Sequence, residues 1–208
     1  MIRLPTVTLL LADCFRHEAN IHAIEECLKH CEFGAVKYLT NIFSGSTVIL
    51  NTPNLQEINV VDIPYIASGK EYDDFCFNHL WSYCDTEFML LIQCDGFIVN
   101  PKAWHKEYLL YDWIGAPWWY SERNVGNGGF SIRSRRLMEY IAMHPKALEL
   151  CTNEDDEICR QRYDELVGQG FTFAPEFIAH LFSWEGNGKY PNYENQFGFH
   201  GKNNQFFK

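Results

Sequence analysis

The chain has 208 residues, of which 47% are hydrophobic, and this is enough to form one sizeable core. Its formal net charge of -10 argues against a nucleic-acid-binding protein, because phosphate backbones bind surfaces rich in Lys and Arg. The same acidity is compatible with a nucleotide ligand, since a divalent cation can bridge carboxylates to a diphosphate. No apolar run approaches the roughly 20 residues that cross a bilayer, so no transmembrane segment is predicted.

Hydrophobic periodicity predicts strands and helices that alternate through the first half of the chain. In chain order the predicted elements are strand 6–14, helix 17–31, strand 35–41, a weaker strand 47–50, strand 60–64, helix 71–84, strand 87–94, helix 103–110, strand 130–133, helices 135–144 and 155–168, strand 171–174 and helix 175–183, before a polar tail at 186–208. This alternation is typical of an α/β domain with a largely parallel sheet. No repeat or low-complexity linker interrupts it, so a single domain over residues 1–208 is predicted.

The eight cysteines do not follow the spacing of a disulfide scaffold or a zinc site. No Cys-x2-Cys pair occurs, and Cys27 and Cys31 are one helical turn apart on a predicted helix. The sequence shows no secretory signal pattern, so we expect reduced thiols in a cytoplasmic protein.

Asp95 directly follows the predicted strand at 87–94. In parallel α/β sheets, ligands bind beyond the carboxyl ends of the strands, and Asp95 should emerge at that edge. A carboxylate there can hold Mg²⁺ or Mn²⁺, which would neutralise a diphosphate. Asp-Gly is also a common turn pair, so a turn role for Asp95 and Gly96 is equally open.

The stretch 124–134 (NVGNGGFSIRS) places three glycines around Asn127. Such a density predicts unusual backbone angles or the close approach of a ligand, although an ordinary turn also explains it. The stretch is not the dinucleotide-binding fingerprint, because the spacing differs and no predicted strand precedes it. Ser134 is predicted to cap the helix that follows.

Two further segments carry groups with catalytic or ligand chemistry. Four acids in 153–157 (NEDDE) lie at a predicted helix start, where they stabilise the helix dipole and where one could also act as a general base. His200 lies between aromatic residues and glycines in FGFHG at 197–201. A histidine in such a setting is more often packed or hydrogen-bonded, but neutral imidazole is also a common metal ligand.

Taken together, five segments occur in a familiar order: IQCDGF at 92–97, YDWIGAPWW at 111–119, GNGGFSIRS at 126–134, NEDDEIC at 153–159 and FGFHG at 197–201. They resemble a widespread family of glycosyltransferases with the GT-A fold. The resemblance implies a Rossmann-like, nucleotide-sugar-binding single domain with a mostly parallel central sheet. Residues 1–96 would form its nucleotide-binding half, and residues 97–208 its acceptor-binding half and tail.

The β-1,4-galactosyltransferases are a more distant comparison. Their Asp-x-Asp metal motif follows a buried strand, so the resemblance implies Asp95 as a contact to metal or diphosphate, with Gln93 in place of the first Asp. That replacement weakens the expectation of strict metal dependence. Their acidic block is similar to 154–156, which implies Asp155 as the base and Glu154 in acceptor binding nearby. His200 matches the late histidine that completes the metal site.

The resemblance therefore implies an inverting transfer of a sugar from a nucleotide-diphosphate donor to a glycan or another hydroxyl acceptor, assisted by Mn²⁺ or Mg²⁺. The residues expected to shape the sugar pockets are Trp118, Trp119, Asn127, Gly128 and Gly129. The two tryptophans have a core role as the alternative, because large aromatic side chains usually pack inside. Arg16 would contact the nucleotide or its phosphates, or pair with Glu18 instead.

Three other functions stay open. A nucleotidyltransferase would share the nucleotide-binding half, but the basic Gly-rich signature expected near the first strand is not evident in 10–19. A carbohydrate-binding module would use the aromatic cluster without catalysis. A degenerate, inactive transferase is compatible with Gln93 in the first position of the metal motif.

Overall fold

The computed structural model describes residues 1–41, 56–145 and 153–201, and its centre is a six-stranded sheet. The strands are β1 (Ile2–Ala12), β2 (Cys31–Thr40), β3 (Asn59–Asp62), β4 (Phe88–Ile92), β5 (Trp113–Ile114), β6 (Phe130–Ser134), β7 (Ser183–Glu185) and β8 (Gly198–His200). The sheet order is β3-β2-β1-β4-β6-β5, while β7 and β8 form a separate parallel pair. Strands β3, β2, β1 and β4 run parallel, and β6 is antiparallel to β4 and to β5. The predicted α/β class with a mostly parallel central sheet is confirmed.

In the parts of the chain that the structure describes, six α-helices cover the sheet or connect its strands. They are α1 (His17–His30), α2 (Gly69–Asn78), α3 (Arg135–Met143), α4 (Glu154–Asp156), α5 (Tyr163–Gly168) and α6 (Glu176–Phe182). The predicted cap of α3 is confirmed, because Ser134 Oγ accepts a hydrogen bond from the Leu137 N–H at 3.2 Å. No helix in the described parts of the chain combines the length and apolar composition that a membrane crossing requires.

The core lies on both faces of the sheet, which explains why the central strands read as continuous apolar runs. In β1, Leu9 and Leu11 pack on the face that α1 covers, whereas Leu10 packs on the face that α2 and α3 cover. Residues of β4 alternate in the same way. All seven described cysteines are buried, and Cys151 lies outside the described residues.

Several predicted elements differ from those observed. The predicted helix 103–110 is instead two short 3-10 turns, Pro101–Ala103 and Lys106–Leu110, separated by two extended residues. The predicted strand 171–174 makes only one isolated bridge, from Phe173 to Trp113, and is too short to count as a strand. The weaker strand predicted at 47–50 lies outside the described residues.

The predicted helix 155–168 is broken at Glu157–Gln161 by a π-helical segment. There the Arg162 N–H donates to the Glu157 carbonyl, five residues back, at 2.9 Å. Gly168 is the last residue of α5, as the predicted end of the helix at 168 implies. Gly170, two residues later, has the positive φ, +83°, that reverses the chain.

The segment predicted as a polar tail is partly core. Phe197 and Phe199 are fully buried, and β8 returns the chain to the loop that follows β4. The Gly201 N–H donates to the Asp95 carbonyl at 3.0 Å, which fixes that return. This arrangement places His200 beside the carboxyl end of β4.

Candidate functional site

A cavity of about 650 Å³ opens where β1 and β4 end and β6 begins. In open α/β sheets, ligands bind at the edge where the parallel strands end. This is the edge at which Asp95 is predicted to emerge. Because β6 is antiparallel to β4, the residues before β6 reach the same edge, and the Gln93 N–H donates to the Gly129 carbonyl at 3.0 Å. The cavity is lined by Ala12, Asp13, Cys14, Phe15, Arg16, Ile66, Ala67, Ser68, Gly69, Lys70, Tyr72, Asp73, Gln93, Asn127, Gly128, Gly129, Asn153, Glu154, Asp155 and His200.

Asp155 is held in the cavity wall by backbone donors from two segments. The Gly128 N–H donates to its Oδ2 at 2.9 Å, and the Asp156 N–H donates to its Oδ1 at 2.8 Å. Burial, reinforced by the negative charge of Glu154, raises the pKa of Asp155 from 3.8 to about 7. A carboxyl group with such a pKa can accept a proton near neutral pH.

Glu154 lines the cavity, but its carboxylate is paired with a buried side chain. Its Oε1 lies 2.7 Å from Nη2 of Arg133, and the two side chains are 7% and 0% exposed. The guanidinium of Arg133 also stacks 4.0 Å from the ring of Trp113. The structure thus gives Glu154 an internal partner, and its predicted contact with an acceptor stays a prediction.

Sequence reasoning missed Arg133, although a signal for it existed. The alternating stretch 130–133 is predicted as a strand and is observed within β6, and an arginine within a buried strand requires a partner. No sequence pattern identified Glu154 as that partner, because 21 positions separate the two residues.

His200 is brought together with Asp95, as the resemblance implies. His200 Nε2 lies 3.5 Å from Asp95 Oδ1 and 3.1 Å from Gln93 Oε1, while Nδ1 lies 2.8 Å from Glu185 Oε2. Burial disfavours a charged imidazole, but the carboxylates of Asp95 and Glu185 outweigh it and raise the pKa of His200 to about 10. The hydrogen bond to His200 in turn lowers the pKa of Asp95.

The side chains around His200 offer part of a donor set for Mn²⁺ or Mg²⁺. Asp95 and Gln93 present oxygen atoms, which suit these ions, whereas the imidazole of His200 would have to lose its proton before its Nε2 could bind one. Glu185 lies behind the imidazole, where a carboxylate commonly orients a metal-binding histidine. Within residues 1–41, 56–145 and 153–201, no group of three or more His, Cys, Asp and Glu side chains is arranged to hold a metal ion. A metal would therefore depend on the Gln93 amide or on ligand oxygens.

The glycines at 128 and 129 are required by neighbouring side chains. A Cβ atom on Gly129 would lie 2.2 Å from Nε2 of His200, and one on Gly128 would lie 2.7 Å from Nη2 of Arg133. Of the alternatives left open for this stretch, left-handed backbone angles are not observed, because the only described glycines with positive φ are Gly170 and Gly201. Asn127 closes the turn, since its Oδ1 accepts from the Gly129 N–H at 3.2 Å.

Arg16 lies at the mouth of the cavity. Its Nε is 3.2 Å from Oδ2 of Asp13, so its partner is Asp13 and not Glu18. The Arg16 side chain is 59% exposed, which leaves the guanidinium accessible to a ligand. Lys70 lines the same cavity and adds a second cation.

The two tryptophans are not among the residues that line this cavity. Trp118 is buried against Gly126, where an added Cβ would lie 2.6 Å from its ring. Trp119 is 62% exposed on the surface. The structure therefore places Trp118 in the core, and the sugar-binding role of the pair stays a prediction.

The fold is shared with solved structures of low sequence identity. One is a glycosyltransferase involved in the glycosylation of the major capsid of PBCV-1, at 12% identity and a TM-score of 0.53, covering 94% of this chain and 92% of that chain. Another is the mannosyltransferase PcManGT from Pyrobaculum calidifontis, solved in complex with GDP-Man and Mn²⁺. It is 9% identical with a TM-score of 0.51, and the match covers 84% of this chain and 57% of the mannosyltransferase. At these identities the likeness is one of fold alone.

A search of curated proteins finds no match to the chain. Residues 56–200 match a family described as "Protein of unknown function (DUF5672)". The match spans the end of the parallel sheet, the glycine segment, the acidic block and His200. Because it covers well over half of the sequence, the chain belongs to the DUF5672 family.

Proposed function

We propose that the protein is a glycosyltransferase that moves a sugar from a nucleotide-diphosphate donor to a hydroxyl acceptor, with inversion at the anomeric carbon. The observation that carries this proposal is the Asp155 carboxyl, which lines the cavity at the ligand-binding edge of the sheet with a pKa of about 7. The shared fold with two glycosyltransferases supports the same reaction class.

In the proposed reaction, Asp155 accepts the proton of the acceptor hydroxyl as that oxygen attacks the anomeric carbon. The new carbon–oxygen bond forms on the face opposite the leaving group, and the bond from the anomeric carbon to the diphosphate oxygen breaks. The bonding electron pair leaves with the diphosphate. The N–H groups of Gly128 and Asp156 orient the carboxylate, and each carboxylate oxygen keeps a lone pair for the proton.

The donor diphosphate would lie toward Arg16 and Lys70, whose cationic side chains line the cavity. Asp95 and His200 are the proposed holders of Mn²⁺ or Mg²⁺, with Gln93 beside them. A divalent cation bound there would neutralise charge on the leaving diphosphate. The acceptor would enter on the side of Asp155 and the glycine segment.

A thermal-shift panel of nucleotide sugars, each with and without Mn²⁺, tests the donor half of the proposal. We expect one nucleotide class to raise Tm, with a larger shift when the cation is present. Asp95→Ala should weaken the cation-dependent part of the shift. Equal donor affinity in wild type and Asp95→Ala would remove Asp95 from the metal role.

Asp155→Asn tests the catalytic half. It should reduce transfer by about 10²- to 10⁴-fold while donor affinity stays nearly unchanged. Asp156→Asn is the matched control, because Asp156 is the next acid of the same block and does not line the cavity. Unchanged turnover in Asp155→Asn would exclude Asp155 as the base.

A binding protein without transferase activity is the second candidate, and Gln93 at the first position of the metal motif favours it. Calorimetry separates the two. A carbohydrate-binding module binds glycan without nucleotide or cation, and a degenerate transferase binds the donor without turning it over. Measured turnover of any nucleotide sugar would exclude both.

A further inference from the structure

We propose that Arg133 is a positioning residue for this transfer, which fixes Gly128 against Asp155 and turns Glu154 away from the acceptor. The inference rests on the proposed function. It concerns a side chain that does not line the cavity and would not touch either substrate.

Arg133 is fully buried on β6 and is held on several sides. Its Nε donates to Ser131 Oγ at 3.0 Å, and its Nη2 donates to the Gly128 carbonyl at 3.2 Å and to Glu154 Oε1 at 2.7 Å. The ring of Trp113 packs against the guanidinium plane. The planar fork of arginine reaches these acceptors together, and a lysine ammonium in the same place could not.

Gly128 connects Arg133 to Asp155. Its carbonyl accepts the hydrogen bond from Arg133, while its N–H donates to the Asp155 carboxyl. A Cβ atom on Gly128 would lie 2.7 Å from Arg133 Nη2, 2.9 Å from Glu154 Oε1 and 3.1 Å from Asp155 Cβ. Three side chains are thus packed against Gly128. If the Arg133 guanidinium moves, Gly128 moves with it, and so does the Gly128 N–H that orients Asp155.

The ion pair also holds the negative charge of Glu154 beside Asp155. Arg133 gives Glu154 a charged partner, whereas Asp155 makes no ion pair with another described residue. The charge of Glu154 adds to the effect of burial in raising the pKa of Asp155. The other titratable groups facing this pair are Cys159, on the π-helical segment, and Tyr72, Asp73 and Cys76 of α2. Asp73 accepts from the Glu154 N–H at 3.3 Å.

Stability alone does not account for this arrangement. A buried ion pair pays a desolvation penalty, and apolar residues of similar volume often stabilise a protein as well or better. Arg133 Nη1, moreover, has no hydrogen-bond partner among the described residues. The pair is retained where it can set the geometry and protonation of Asp155.

Kinetics of Arg133→Lys test the positioning role. This variant keeps the charge and loses the fork, so we expect kcat to fall about 10- to 100-fold with donor KM within about twofold of wild type. In the Asp155→Asn background the same substitution should cost nothing further, because its effect acts through Asp155. Arg162→Lys is the matched control, since Arg162 is also buried, pairs with Glu165 at 2.7 Å and does not line the cavity.

If Arg133→Lys and Arg162→Lys lower Tm equally and neither changes kcat, the role of Arg133 is structural and the proposal is overturned. The same holds if the losses from Arg133→Lys and Asp155→Asn are additive. Either result would leave the proposed transferase function standing.

A titration that needs no substrate separates the two proposals. Carbon NMR of labelled aspartate carboxyls, assigned with Asp155→Asn, should show a group titrating near pH 7. Glu154→Gln removes the neighbouring charge and should move that midpoint down by about one pH unit. An unmoved midpoint overturns the role of the ion pair, whereas absence of transfer with every nucleotide sugar overturns only the proposed function.

Discussion

Asp155→Asn should make the folded protein more stable at pH 8, and this prediction does not depend on any substrate. Burial raises the pKa of Asp155 from 3.8 to about 7. An acid whose pKa is raised by folding contributes its full stability below the unfolded pKa and loses it as pH rises through the folded pKa. A difference of about three pKa units corresponds to about 4 kcal/mol, lost between about pH 4 and pH 7.

The asparagine variant does not titrate, so it escapes that loss. It does replace one of the two carboxylate oxygens that accept from Gly128 and Asp156, which costs about 1–3 kcal/mol at every pH. The free energy of unfolding of the variant relative to wild type should therefore rise by up to about 4 kcal/mol from pH 4 to pH 8.

Urea denaturation at several pH values between 4 and 8 measures this difference. Asp156→Asn is the control, because it retains the Asp155 carboxyl and should retain the wild-type decline with pH. Parallel stability curves for wild type and Asp155→Asn would refute the reasoning, since the carboxyl would then be no harder to ionise in the folded state than in the unfolded state.

Other predictions concern packing and polar contacts around the site. Gly129→Ala places a Cβ atom 2.2 Å from His200 Nε2, so we expect urea denaturation to show a loss of about 1–3 kcal/mol. Gly168→Ala meets no atom within 4 Å in a helix and should leave stability unchanged or raise it by up to about 1 kcal/mol; equal losses in both variants would contradict the steric argument. Asp112→Asn should lower the free energy of unfolding by about 2–3 kcal/mol. The buried Asp112 carboxylate accepts from the Thr172 N–H at 2.9 Å, and the NH₂ group of an asparagine would face a donor that the carboxylate now accepts from. Unchanged stability would show that this buried acid is dispensable.

The centre of the parallel sheet could be predicted from the sequence because β1 and β4 are buried on both faces over most of their length. Continuous apolar runs at 9–12 and 88–92 mark these two strands, and the amphipathic pattern of α1 predicts its bounds to within one residue. These are local signals, and tertiary packing does not override them. The position of Asp95 at the end of β4 follows from the same signals.

What the sequence could not reveal depends on contacts between distant segments. The pairing of Arg133 with Glu154 and the burial of Phe197 and Phe199 have no local signature. The same limit applies to Gly129. A side chain there would clash with His200, which lies 71 positions later in the chain, and no local pattern predicts that contact. The failures thus lie where one segment packs on another.

Several features that are unfavourable for stability lie together at one edge of the sheet. Asp155 is a partly buried acid without an ion-pair partner of its own among the described residues, and next to it Arg133 is a buried cation with an unpartnered Nη1. Both side chains lie against Gly128, where an added Cβ atom would clash with them. Each of these two charged groups lowers stability, and a single substitution would remove the cost: asparagine in place of Asp155, or an apolar residue in place of Arg133. Proteins tolerate such destabilising features mainly at functional sites. Their occurrence together beside the cavity therefore supports the proposed catalytic role more strongly than any one of these residues does alone.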